Sequence, residues 1–296
     1  MRLGFKIFNF SAAVLTGLLF TTGCSTDDGV QPLDNSPIES RGLLSGILPN
    51  TPLIGLTPNN ELVNLLSGPP AVDQGTVAIT GLRTDEVMLA IDTRPKNKQL
   101  FGVSNLNIIY RIDPITGVAT PVGSPFTPVI SGSMVGFDFS PVDDMIRVIT
   151  DSGQNIRISP TTGAVVSVDS PINSFSAAIN SVAFGPLLSG RTTLYDVDIA
   201  GGYLYKQVSP GNGILQLVGS TGYLFSGDGG FDITNSNIPF SVQFGRSRVP
   251  QPGYGGSLGG SDDTTQDAYR LFTINLRTGL FISYGKVRPM IGLAVK

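Results

Sequence analysis

The chain contains the stretch Gly136-Phe137-Asp138-Phe139-Ser140-Pro141 and repeats it in altered form along its length. The related stretches are Leu89-Ala90-Ile91-Asp92-Thr93-Arg94-Pro95, Val182-Ala183-Phe184-Gly185-Pro186, Gly230-Phe231-Asp232-Ile233 and Gly292-Leu293-Ala294-Val295. Each of the first four stretches opens a run of four short strand-like segments, whereas the fifth lies at the C-terminus and opens nothing. Self-similarity at a regular interval is typical of repeat architectures.

The unit that opens at Val135 shows the repeat most clearly. Its four segments are separated by Gly, Pro, Asp or Asn: Val135–Phe139, Met145–Thr150, Asn155–Ser159 and Ala164–Val168. Turn glycines recur after the third segment of successive units, 46, 50 and 66 residues apart: Gly117, Gly163, Gly213 and Gly279. The last interval is long because residues 245–267 form a Gly- and Ser-rich insertion. Units of about 40 to 50 residues with four strands are typical of β-propeller blades.

The first unit lacks its opening strand. Leu53–Leu56, Glu61–Leu66 and Thr76–Ile79 correspond to strands two, three and four, and Met290–Lys296 has the missing pattern at the other end of the chain. We therefore predict an all-β domain over residues 51–296. It is a five-bladed β-propeller of four-stranded antiparallel blades, closed by the C-terminal strand pairing beside Leu53–Leu56. A β-sandwich or a solenoid is the alternative, but neither explains a strand missing at one end and present at the other.

The first 23 residues predict a lipoprotein signal peptide. Arg2 and Lys6 form a basic start, and the apolar segment that follows is too short for a membrane-spanning helix. Thr21-Thr22-Gly23-Cys24 resembles a lipobox, which makes Cys24 the predicted lipidation site. The alternative is an ordinary secretory signal cut nearby. Because Cys24 is the only cysteine, a disulfide within the chain is excluded.

Residues 24–50 are rich in Ser, Pro, Gly, Asp and Asn, which predicts a flexible tether between a membrane and the domain. Asp27-Asp28, just after the cysteine, resembles the surface-export signal of one group of Gram-negative lipoproteins. We therefore expect an exported bacterial lipoprotein of the cell envelope, at the outer membrane or cell surface. The expected partners are the membrane, through the N-terminal lipid, and an unknown protein or glycan ligand, with the domain itself monomeric.

The composition excludes several kinds of chemistry. The 296-residue chain has no histidine, which removes the usual general base, the histidine-dependent nucleophiles and all histidine metal ligands. Its formal net charge of −3 argues against nucleic acid as a partner. We predict no catalytic residues from sequence, and any chemistry would depend on carboxylates, Tyr, Lys, Arg or a hard cation.

Three acids occupy the same place in three of the repeats: Asp92, Asp138 and Asp232. Because innermost strands line a propeller's channel, these acids are candidate Ca²⁺ ligands. The structural alternative is that each carboxylate accepts backbone N–H groups and locks one blade to the next. Asp228, among glycines, is a candidate ligand-binding residue, and a tight turn is its alternative interpretation. The pair Asp196 and Asp198 is expected in a solvated hairpin.

The stretches Gly136–Pro141 and Ile146–Ile158 resemble a bacterial exported family known as domain of unknown function 4394. Leu53–Thr57 and Leu100–Val103 are similar to the family's opening. The resemblance spans roughly residues 53–296 and implies export and a β-repeat fold, with no catalytic residues to carry over.

The sequence is compatible with two functions. The first is a lipid-anchored, non-catalytic binding or scaffold propeller of the envelope, with a purely structural protein as a variant. The second is a Ca²⁺-dependent hydrolase, lactonase or lyase that acts through carboxylates at the hub, where Asp92, Asp138, Asp232 and Asp228 would be the candidate residues.

Overall fold

The computed structural model describes residues 50–172, 177–248 and 264–296. Within these residues the chain forms five four-stranded antiparallel sheets. The first blade contains β1 (Pro52–Leu56), β2 (Glu61–Leu66) and β3 (Val72–Ala78). The second contains β4 (Met88–Thr93), β5 (Leu100–Ser104), β6 (Ile109–Ile112) and β7 (Ala119–Val122). The third contains β8 (Val135–Phe139), β9 (Ile146–Thr150), β10 (Asn155–Ile158) and β11 (Val165–Val168).

The fourth and fifth blades follow the same order. The fourth contains β12 (Ile179–Phe184), β13 (Leu194–Asp198), β14 (Tyr203–Gln207) and β15 (Gln216–Ser220), with a 3-10 turn at Pro210–Asn212. The fifth contains β16 (Tyr223–Ile233), β17 (Pro239–Ser247), β18 (Ala268–Ile274) and β19 (Phe281–Lys286). The last strand, β20 (Gly292–Val295), returns to the first blade.

The two ends of the domain close the ring as predicted. β20 pairs antiparallel with β1, and Leu53 lies opposite Val295 while Leu56 lies opposite Gly292. The first sheet therefore has the order β20-β1-β2-β3, with the C-terminal strand innermost. The five innermost strands contact one another in a cycle: β4, β8, β12, β16, β20 and back to β4. The predicted five-bladed propeller with a C-terminal closing strand is confirmed.

Apolar residues fill the spaces between blades. One buried cluster joins the first and second blades through Leu56, Ile91 and Ala294, and another joins the second and third through Phe101 and Phe139. The inner strands β8 and β12 are buried along their whole length, because each has a blade on both faces. This burial of both faces explains why the repeated stretches are nearly continuous apolar runs.

Glycines allow the inner strands to approach closely in the middle of the hub. A Cβ atom at Gly230 would lie 2.3 Å from the backbone nitrogen of Leu293, and one at Gly136 would lie 2.9 Å from a Val182 methyl group. Only about 10 Å³ of open space remains here. The hub is therefore packed in its middle.

Two local predictions were wrong. Residues 226–230 do not form a tight turn before the inner strand. They lie within the long strand β16, where the register against β17 shifts between Phe225 and Gly229. Asp196 and Asp198 are not in a solvated hairpin, since both lie in β13 and are 0% and 2% exposed.

Candidate hub site

Three buried carboxyl groups meet at one end of the hub. Asp92, Asp138 and Asp232 are 3%, 4% and 7% exposed. One carboxylate oxygen from each lies within 4.8 Å of the others. The three side chains come from β4, β8 and β16, at the position before the last residue of each strand. The inner strands of successive blades run in the same direction along the central axis. Equivalent residues of the repeat therefore lie at the same height in the hub.

Each acid accepts one hydrogen bond from the backbone of its own strand. One oxygen accepts a hydrogen bond from the backbone N–H of the following residue, at 2.6 Å from Thr93, 2.7 Å from Phe139 and 2.6 Å from Ile233. This contact holds the carboxylate against the end of the strand, so the side-chain direction is set locally.

The second oxygen of each acid reaches the next blade. Asp92 accepts the backbone N–H of Phe139 at 2.9 Å, and Asp232 accepts that of Val295 at 2.6 Å. Asp138 accepts the N–H of Phe184 in the same way. These contacts are the ones that the structural alternative predicts, because each acid joins its own blade to the following one. The Asp232 contact also holds the closing strand β20.

The two blades with alanine at this position, Ala183 and Ala294, cannot make the same contact. At the junction of the fourth and fifth blades, a buried polar network is found instead. Asn180 Nδ2 donates to Gln243 Oε1 at 2.7 Å, and Gln243 Nε2 donates to Ser181 Oγ at 3.0 Å. Sequence reasoning missed this network, because Asn180 and Gln243 lie 63 residues apart.

The electrostatics of the three acids disfavour ionisation. Burial raises the pKa of Asp138 to about 8, and it raises the pKa of Asp92 and Asp232 well above the ordinary value. Repulsion among the three carboxylates acts in the same direction, while the backbone N–H donors oppose it. The cluster therefore either retains protons near neutral pH or requires a positive charge beside it.

A family model described as a domain of unknown function (DUF4394) matches residues 61–294 of the chain. The chain belongs to this family. The match covers all three hub acids and part of every blade of the DUF4394 domain, and of the strands it leaves out only β1 and the last residue of the closing strand. No curated protein matches the chain.

A cavity of about 50 Å³ opens beside the three acids of the DUF4394 domain. The turns after the inner strands of the second to fifth blades form its rim, which includes Pro95, Pro141 and Pro186. Thr93 lines the cavity and is 8% exposed. Its hydroxyl oxygen has no hydrogen-bond partner among the residues that the structure describes. Sequence reasoning did not single out Thr93.

A larger groove of about 670 Å³ adjoins the hub cavity, and the two share Gly185 and Pro186. The groove combines apolar, aromatic and polar side chains, including the exposed Arg191 and the half-buried Tyr195. Its other lining residues include Leu188, Thr192, Thr193, Val208, Ser209 and Asn237. Sequence analysis did not predict the groove, because it depends on how loops and strands of the fourth blade fold together and on Asn237 of the fifth blade.

Asp228 is not part of the hub cluster. It lies in the irregular part of β16, four residues before Asp232, and is half-buried. Burial raises the pKa of its carboxyl group, and Asp151 contributes by repulsion. The apolar middle of the hub separates Asp228 from the three acids, so the structure brings together only three of the four candidate acids.

The predicted lipidation site, Cys24, lies outside the described residues. Among the residues that can be described, no helix has the length and apolar character needed to cross a membrane.

Proposed function

We propose that this propeller is a lipid-anchored, non-catalytic binding protein of the bacterial cell envelope, and that the groove beside the hub receives its ligand. The observation that supports the binding role is the groove of about 670 Å³ on the face that also carries the hub cavity. Support for the anchor comes from the lipobox-like residues before Cys24 and the polar segment that follows.

The chemistry of the groove favours a ligand with an anionic group and an apolar flank. Arg191 supplies an exposed cation, with no ion pair to it among the described parts of the chain. Leu188 and Val208 are 68% and 59% exposed and supply apolar surface. Asn237 and Thr192 add an amide and a hydroxyl group. A protein segment with acidic residues and an acidic glycan both fit this combination.

Capture from envelope extracts tests the groove. The chain from Ser25 onward contains every described blade and is immobilised as wild type, as Arg191→Glu and as Val208→Asp. Arg277→Glu is the matched control, because Arg277 is exposed and lies outside the groove. We expect the same component to bind the wild type and the control, and binding to fall at least about tenfold in both groove variants.

Equal capture by all four chains would contradict the binding role of the groove. Digestion of the extract with protease or with glycan-cleaving enzymes before capture separates a protein ligand from a glycan.

The Ca²⁺-dependent hydrolase, lactonase or lyase stays the second candidate. The convergence of Asp92, Asp138 and Asp232 favours it, since carboxylates with shifted pKa values are typical of acid–base sites. The two backbone N–H groups that each acid accepts count against it, because they fix the carboxylate between two blades, whereas a general base has to reach a proton on the substrate. Turnover of lactone or glycan substrates by the wild type and loss of turnover in Asp138→Asn would establish the enzyme.

A further inference from the structure

We propose that the hub cavity is a Ca²⁺ site whose protein ligands are Asp92, Asp138, Asp232 and the hydroxyl group of Thr93. The three acids and the threonine line one cavity at the end of the inner strands. An ion at this position would join the second, third and fifth blades around the axis.

The spacing of the carboxylates suits a single ion. Ca²⁺ holds oxygen ligands at about 2.3–2.6 Å, so two ligands on opposite sides of the ion lie at most about 5 Å apart. The three carboxylate oxygens all lie within 4.8 Å of one another. This spacing meets the condition for three oxygens that share one ion.

Thr93 gives an independent indication of a ligand. It is 8% exposed, and its hydroxyl oxygen lacks a hydrogen-bond partner within the described residues. A buried hydroxyl without a partner is unfavourable, and each such group in a native structure calls for an explanation. The equivalent residues of the other blades are apolar: Phe139, Phe184, Ile233 and Val295. Thus the fold does not require a hydroxyl at this place, whereas a cation in the cavity would use it.

The existing hydrogen bonds leave room for coordination. Each carboxylate oxygen has two lone-pair directions, and each of the six oxygens accepts one backbone N–H. No backbone donor occupies the second direction, and an ion would replace the hydrogen bonds that Asp92 shares with Asp138 and Asp232. The N–H bonds hold the carboxylates in place before the ion arrives. The cavity of about 50 Å³ has space for the waters that complete a shell of six to eight oxygens.

The chemistry of the ligands selects a hard cation. Carboxylate and hydroxyl oxygens suit Ca²⁺, and the chain has no histidine and only one cysteine to attract a softer metal. Mg²⁺ needs close octahedral geometry at about 2.0–2.1 Å and gives up water reluctantly. Carboxylates that are already held by backbone N–H groups reach the longer Ca²⁺ distances more easily than the shorter Mg²⁺ distances. Lys98 also lines the cavity.

Thermal unfolding and calorimetry test the site. The chain from Ser25 onward is measured at pH 8.5 in EDTA, in CaCl2 and in MgCl2. We expect saturating Ca²⁺ to raise the melting temperature by about 5 °C or more, Mg²⁺ to raise it less, and titration to show one Ca²⁺ per chain. An unchanged melting temperature together with no heat of binding would overturn the proposal.

Thr93→Val assigns the position of the ion without disturbing the backbone contacts of the acids. We expect its melting temperature in EDTA to equal or exceed that of the wild type, and its Ca²⁺ affinity to fall about tenfold. Thr161→Val, at an exposed turn, serves as the control and should bind Ca²⁺ as the wild type does. If Thr93→Val bound Ca²⁺ as tightly as the control, the ion would lie elsewhere and the proposed site would be wrong.

Discussion

At the scale of single residues, the hub acids illustrate how one side chain can join two blades. Asp232 accepts N–H groups from Ile233 in its own strand and from Val295 in the closing strand. The Ile233 donor is buried and the Val295 donor is partly buried, and a donor that loses its acceptor in such a place is costly. The acid therefore stabilises the ring, whether or not an ion lies beside it.

Replacing Asp232 by alanine tests this contribution. Asp232→Ala leaves one buried and one partly buried N–H group without their acceptor, so we expect the free energy of unfolding to fall by about 2–4 kcal/mol. Urea unfolding in EDTA at pH 6 measures the change. Asp228→Ala is the control, since Asp228 is half-buried and outside the cluster, and it should cost less than about 1 kcal/mol. An equal decrease in the free energy of unfolding of the two variants would show that the backbone contacts of Asp232 do not stabilise the ring.

A second buried acid gives a prediction for pH dependence. Asp196 is fully buried in β13, and this burial raises its pKa to about 7. The hydrogen bond from Gln207 and the charge of Arg147 in the third blade both lower the pKa, but burial has the larger effect. The folded state thus holds a proton that the unfolded state releases near pH 4. The stability that comes from this proton is complete below about pH 4 and is lost as the pH rises through 7.

Asp196→Asn removes that loss because the amide stays neutral. We expect the variant to match the wild type near pH 4 and to exceed its stability by on the order of 3 kcal/mol at pH 8.5. Urea unfolding of both chains across this range measures the difference, in which the shared titration of the hub acids cancels. A difference that does not vary with pH would show that Asp196 is ionised in the folded protein.

At the scale of strands, β20 has the largest structural role for its length. Its four residues pair with β1, and Leu293 and Ala294 are buried between blades. The apolar stretch at the C-terminus therefore stabilises residues near the start of the domain. Its removal would expose the inner edge of β1 and open the packing on both sides of the first blade.

Deletion of residues 290–296 is expected to abolish cooperative unfolding of the ring. A permuted chain provides the control: it begins at Arg288, links Lys296 to Thr51 through a short Gly/Ser linker, and ends at Val287. The linkage is feasible because the N–H of Lys296 donates to the carbonyl of Pro52 at 3.2 Å. Circular dichroism and urea unfolding should show a lost transition in the deletion and a retained one in the permuted chain. A cooperative deletion variant of wild-type stability would contradict the closing role of β20.

At the scale of the whole molecule, the described domain and the N-terminal segment have separate expected roles. The ring needs no other chain to complete its sheets, because β20 supplies the strand that the first blade lacks. The lipobox-like residues determine where the ring is expected to reside.

Replacing Cys24 by alanine tests the anchor. We expect the wild type to incorporate radiolabelled palmitate and to fractionate with membranes, because stable attachment requires more than one acyl chain and a lipidated cysteine supplies them. Cys24→Ala should lose the label and leave the membrane fraction while its thermal unfolding is unchanged. Lipid-free wild-type protein would instead support an ordinary secretory signal.

The repeated stretches alone predicted the blade number, the closing strand and the shared position of Asp92, Asp138 and Asp232, because strand periodicity and turn residues are local signals. The segment around Asp228 was harder to interpret. Its glycines are compatible with a turn and with an irregular strand, and pairing with β17 decides between them.

The sequence by itself therefore determined the architecture of this protein and the identity of its hub acids. The tertiary structure alone decided that each acid accepts a backbone N–H group of the next blade, that Thr93 lines the same cavity as Asp138 and Asp232, and that Arg191 and Asn237 share a groove. The physical reason is distance along the chain. Strand and turn preferences act over a few residues, whereas these contacts depend on how separate blades pack and on the register within each blade.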